Sequence, residues 1–106
     1  MVYVIQEQQG KNISSAAKFG ELKLLLGAGD QVYMDPKHYT DKLMEKLKNF
    51  NDKDFLLLMG DPVLIGIASG ITARVNEGRL KVLKWDKQTR SYMAITINVG
   101  GVNGRE

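Results

Sequence analysis

The chain contains no cysteine, which excludes disulfide staples, thiolate zinc sites and cysteine nucleophiles. Histidine occurs once, as His38, so no nucleophile, base and orienting group can be assembled around an imidazole, and a zinc site is not expected. No apolar run approaches the ~20 residues that a membrane span requires. The first ten residues, MVYVIQEQQG, lack a basic leading region and lose their apolar character at Gln6, so they do not read as a signal peptide. The expectation is a cytoplasmic protein with no membrane partner. Neither sign of charge dominates: 15 basic against 12 acidic side chains give +3, a balance that permits an anionic partner without requiring one.

What is present suffices for one domain. A chain of 106 residues lies within the usual domain size and buries roughly two-thirds of its unfolded surface, so it needs no metal or crosslink to fold. The domain is expected over 1–99, followed by a flexible glycine-rich tail at 100–106, GGVNGRE.

Proline is scarce, and both copies follow aspartate. Asp35-Pro36 and Asp61-Pro62 each pair a capping carboxylate with the residue that suits the first helical position, because proline lacks the N–H that would go unused there. The first helix is read to Phe50, with Tyr39, Leu43, Leu47 and Phe50 forming one apolar stripe. The second runs towards Gly78 and carries Gly66 and Gly70 inside it. Each costs about 1 kcal/mol in a helix interior, so close packing against the sheet or another chain is expected there.

Strands are read at 2–6 (VYVIQ), 21–26 (ELKLLL), 55–59 (FLLLM), 79–85 (RLKVLKW) and 91–99 (SYMAITINV). A helical turn ending at Gly20 joins the first two, and QVYM at 31–34 reads as a short extended piece. FLLLM is apolar throughout, as a strand covered on both faces should be. The last two strands form a hairpin. The fold class is α/β, order β-β-α-β-α-β-β: a mixed, mostly parallel sheet of about five strands with two main helices and a C-terminal hairpin.

Three sites are candidates. The loop at Gly60, Asp61 and Pro62 stands where strand–turn–helix folds cradle phosphate, but neither the P-loop nor the dinucleotide glycine spacing is met, and Asp61 would repel an anion. With Asp86 it could form a ligand or magnesium site at the carboxyl ends of neighbouring strands, although capping explains both acids more simply. LGAGDQ at 26–31 is read as a turn. The hairpin interleaves Arg79, Lys81, Lys84, Lys87 and Arg90 with Trp85 and Tyr92, a composition that can hold a nucleic-acid backbone and stack bases. The simpler reading is an edge hairpin guarded by lysines, with Trp85 in the core.

The segments FGELKLLL, FLLLMGDPVLIGIASGI and GRLKVLKWDKQTRSYMAITINV, within a similarity running from Val2 to about Val99, resemble small proteins of tailed phages, those of marine cyanobacteria above all. The resemblance implies a context, the cytoplasm of an infected bacterium, and carries over no catalytic or binding residue. The leading expectation is therefore a non-enzymatic accessory protein, with no cofactor, that binds a host or phage protein or a second copy of itself. Nucleic-acid binding through 79–92 is the alternative. A small-ligand or metal-dependent enzyme at 60–62 is the weaker one.

Overall fold

A computed structural model describes residues 1–100. Five strands, β1 (Val2–Gln6), β2 (Leu22–Leu26), β3 (Phe55–Leu57), β4 (Arg79–Asp86) and β5 (Ser91–Asn98), form one sheet in the order β2-β1-β3-β4-β5. The pairs β1–β2, β1–β3 and β3–β4 are parallel, and β4–β5 closes the sheet as an antiparallel hairpin. This is the expected mixed α/β class with its two main helices, α1 (Pro36–Leu47) and α2 (Pro62–Val75).

Both Asp-Pro pairs start helices as their chemistry dictates. The Asp35 side chain accepts from the His38 N–H at 3.1 Å and that of Asp61 from the Val63 N–H at 2.7 Å, with proline opening each first turn. The connection from β1 to β2 holds a 3₁₀ helix, Ser14–Phe19, that ends at Gly20.

The sheet separates two apolar layers. On one face Tyr3, Ile5, Leu56, Leu80 and Val82 meet α1 and α2 through Leu43, Leu47, Leu64 and Ala68. On the other, Val2, Val4, Leu57, Leu83 and Tyr92 meet Ala16, with Ile13 and Phe19 packed alongside. β1 lies between β2 and β3 and is buried at all five positions.

Local readings are corrected at three places. Residues 32–34 form a 3₁₀ turn, with Val32 buried, and are not extended. α1 stops at Leu47; Phe50 continues its periodicity but reaches the core from the following loop, packing on the Tyr3 ring at 5.9 Å. β3 ends at Leu57, two residues early. In β2 the buried leucines are Leu25 and Leu26, whereas Leu24 is 47% exposed, because β2 is an edge strand with thin cover. Apart from Gly100, whose N–H donates to the Asn98 side chain, the tail expected at 100–106 lies outside the described residues.

Candidate functional site

The strand order creates a parting of connections. The chain leaves β1 across the face that carries the 3₁₀ helix and leaves β3 across the face that carries α2. Between the carboxyl ends of β1 and β3 the two loops therefore diverge, and such a switch point is where open α/β sheets form crevices. Gln6 organises it. Its buried side-chain amide accepts from the Asp61 N–H at 2.8 Å and donates to the carbonyls of Gly27 at 3.1 Å and Asp30 at 2.9 Å. Gly60 lies against it at φ +122, and a Cβ added there would fall 2.4 Å from the Gln6 Cβ.

Beside this staple opens a crevice of about 570 Å³. It is lined by Gln8, Lys11 and Asn12 from the loop after β1, by Met59, Gly60 and Ile65 from the end of β3 into α2, and by Trp85 and Tyr92 of the hairpin. Thus Gly60, from the loop, and Trp85 and Tyr92, from the hairpin, share one cavity. The register explains the aromatic pair. The Val99 N–H donates to the Gly78 carbonyl, so alternation along β5 makes Trp85–Tyr92 a non-hydrogen-bonded pair, the kind whose side chains stand closest. The rings meet edge to face at 5.0 Å and 69°. Tyr92 is buried, and that burial pushes its phenol above the usual value. Trp85, expected in the core on the simpler reading, is 43% exposed.

Asp61 and Asp86 are both occupied as caps. The Asp86 carboxylate accepts from the backbone and hydroxyl of Thr89 at 3.0 and 2.6 Å, and these bonds hold its pKa below the usual carboxylate value. No group of three or more potential metal ligands occurs among the described residues.

The basic residues of the hairpin do not form one surface. Arg79 is tied to Asp52 at 3.2 Å at the far end of β4, and Lys81 lies over the Phe55 ring at 4.4 Å. Lys84 is on the helix-bearing face, opposite Trp85, by strand alternation, and Lys87 and Arg90 belong to the turn. Arg90 takes a left-handed conformation there, φ +53.

The edge itself differs from the guarded hairpin of the simpler reading. The lysines are on β4, the inner strand, while residues 91–99 of the outer strand carry no charge at all. Met93 and Ile95 are 48% and 41% exposed on the helix-bearing face, because α2 packs chiefly over β1 and β4. Nor do Gly66 and Gly70 approach the sheet: both are exposed and a Cβ on either would meet nothing within 4 Å, since α2 buries Leu64, Ala68 and Thr72 instead.

A scan of protein-family models matches residues 1–99 to the Phage Pam3 gp32-like protein family. The chain belongs to that family. The phage resemblance of its segments is thereby shown at the level of a phage protein family; a marine cyanobacterial host is no part of the match. No curated protein and no solved structure matches. For this phage protein no helix among the described residues is long and apolar enough to cross a membrane.

The residues that sequence reasoning missed are Gln6, Gln8, Lys11 and Asn12. A signal was present: the glutamine cluster QEQQ directly follows the first strand, at the carboxyl end where ligand loops of α/β sheets sit.

Proposed function

We propose that this phage protein acts by binding rather than by chemistry, adding a strand to the free edge of β5, and that the strand is β5 of a second copy. The observation that carries the reading is an eight-residue edge strand, uncharged throughout, with exposed Met93 and Ile95 beside a backbone edge that pairs with no other strand among the described residues. Natural edges are usually blunted by charge, proline or a bulge, and this one has none of them.

The register follows from which amides are free. Because the Val99 N–H points to β4, so do those of Met93, Ile95 and Ile97, leaving the N–H groups of Tyr92, Ala94, Thr96 and Asn98 facing outward. Antiparallel pairing about a two-fold axis at Ile95 sets Met93 against Ile97 of the partner subunit and Ile95 against Ile95 of the partner subunit. It forms about eight hydrogen bonds from the outward groups. The hairpin turns with Lys87 and Arg90 then lie at opposite ends of the ladder, about 33 Å apart and beyond a Debye length of roughly 8 Å, so they do not oppose association. A single strand edge covers less than the ~800 Å² per partner of a standard interface, so the dimer is expected to be weak and concentration-dependent.

Sedimentation velocity across a concentration series tests this. Thr96→Pro removes an outward N–H and should leave a folded monomer, because proline is tolerated on a free edge. Ile95→Lys places two like charges at the axis and should do the same. A wild-type protein that stays monomeric across the micromolar range overturns the reading, as does a dimer indifferent to both substitutions. A monomer that instead captures a host protein through β5 keeps the edge and replaces the partner.

A further inference from the structure

The crevice at the carboxyl ends of β1, β3 and β4 shares only Tyr92 with the β5 edge, and its walls carry a specific chemistry. Trp85 is the only tryptophan of the chain. It stands 43% exposed at the crevice, with its orientation held by the buried Tyr92 ring at 5.0 Å. Leaving an indole this exposed forgoes burial of a large apolar surface. A fixed, open indole face is a platform for a flat ring, which recovers that contact on binding.

The polar side of the crevice selects among flat rings. Its lining includes one cation, Lys11, and no carboxylate. Lys11 is exposed and enters none of the ion pairs found among the described residues. Gln8 and Asn12 contribute side-chain amides, which both donate and accept and so suit the edge of a heterocycle. The volume of about 570 Å³ falls within the range of small-ligand sites.

The geometry also says where an anionic group can go. The start of α2, the usual phosphate cradle in such folds, offers an anion little here. Pro62 has no N–H, the Val63 N–H is taken by the Asp61 carboxylate, and the Asp61 N–H is taken by Gln6. Lys11, the one cation of the lining, is therefore the better partner for an anion.

We propose that the crevice binds a nucleoside monophosphate unit, its base stacked on Trp85 and its phosphate at Lys11. The unit can come from a free mononucleotide or from a single-stranded nucleic acid, and both present this chemistry.

The lone tryptophan makes the site its own reporter. The full chain is titrated with nucleosides, nucleoside monophosphates and short homopolymeric oligonucleotides while Trp85 fluorescence is followed. Saturable quenching by monophosphates, weaker for the nucleosides, is the expected result. Lys11→Ala should remove the advantage of the monophosphate over the nucleoside without abolishing quenching. Trp85→Ala, followed by calorimetry, should lose affinity by about tenfold to a hundredfold, the usual worth of one stacked base, and Trp85→Phe should retain part of it. Circular dichroism on each variant separates loss of binding from loss of fold.

An oligonucleotide that binds far more tightly than a mononucleotide, with steep salt dependence, identifies a strand as the source. Equal affinities identify the free nucleotide. The proposal is overturned if no ligand in the panel quenches Trp85 saturably, or if folded Trp85→Ala binds as the wild type does. Equal binding of nucleoside and monophosphate by the wild type overturns the placement of phosphate at Lys11.

Discussion

Gln6 and Asp61, 55 residues apart in sequence, are joined by a 2.8 Å hydrogen bond from the Asp61 N–H to the Gln6 side-chain oxygen. The same amide group donates to Gly27 and Asp30, so one side chain fastens the turn after β2 to the start of α2. A buried amide with both ends satisfied rigidifies its surroundings, and removal of it orphans three backbone groups at once. Gly60, which lines the crevice at the switch point, lies against this contact.

Replacing Gln6 by leucine is accordingly expected to destabilise the fold by about 1–3 kcal/mol despite its similar bulk, because the backbone partners lose their bonds without gaining water. Urea unfolding of the variant checks this. A midpoint equal to the wild type would mean that water takes over the three bonds.

The glycines of the 54–71 stretch should respond with opposite signs. Gly60→Ala puts a Cβ into Gln6 at a positive φ and is expected to cost more than about 2 kcal/mol. Gly66→Ala and Gly70→Ala meet open space in a helix interior, so each should stabilise by roughly 0.5–1 kcal/mol. Thermal unfolding of the three variants reads both signs directly. Loss of stability at Gly66 or Gly70 would show that α2 presses on a second chain.

Asp61→Ala should cost about 1 kcal/mol through loss of the α2 cap, while Asp61→Asn, which still offers an oxygen to the Val63 N–H, should be nearly neutral. Denaturant midpoints of the pair decide whether the side chain serves as a cap. A large cost for the asparagine would point to a need for the charge itself.

Acid should weaken two contacts in sequence with their carboxylates. Asp52, held by Asn76 and Arg79, and Asp86, held by Thr89, both have folded pKa values below the usual carboxylate value. Their contribution is thus fully present above the unfolded pKa, close to 3.8, and is lost as pH falls through the lower folded value. NMR titration should place both carboxyl transitions below 3.8. Asp86→Ala should lower stability at neutral pH and flatten the acid limb of the stability profile.

Much of the architecture was legible because its causes are local. An aspartate before a proline starts a helix wherever it occurs, and both starts were read to the residue. Alternating or uniformly apolar runs identified all five strands, and two crossovers with a closing hairpin implied the mixed sheet. The misreadings have a common origin in tertiary competition. Phe50 keeps helical spacing yet is drawn from a loop into contact with Tyr3, and the short run at 32–34 turns instead of extending so that Val32 is buried.

The amino-acid sequence by itself determined the elements, their order and the absence of thiol chemistry, because caps, turns and alternation act over a few residues. Only the tertiary structure decided that β1 lies inside the sheet, that the uncharged β5 and not the lysine-bearing β4 is the edge, and that Gln8, Lys11, Gly60 and Trp85 meet in one crevice. Those outcomes depend on which strands bury both faces and which bury one. That competition is settled by contacts between residues tens of positions apart, and no short stretch of the chain carries it.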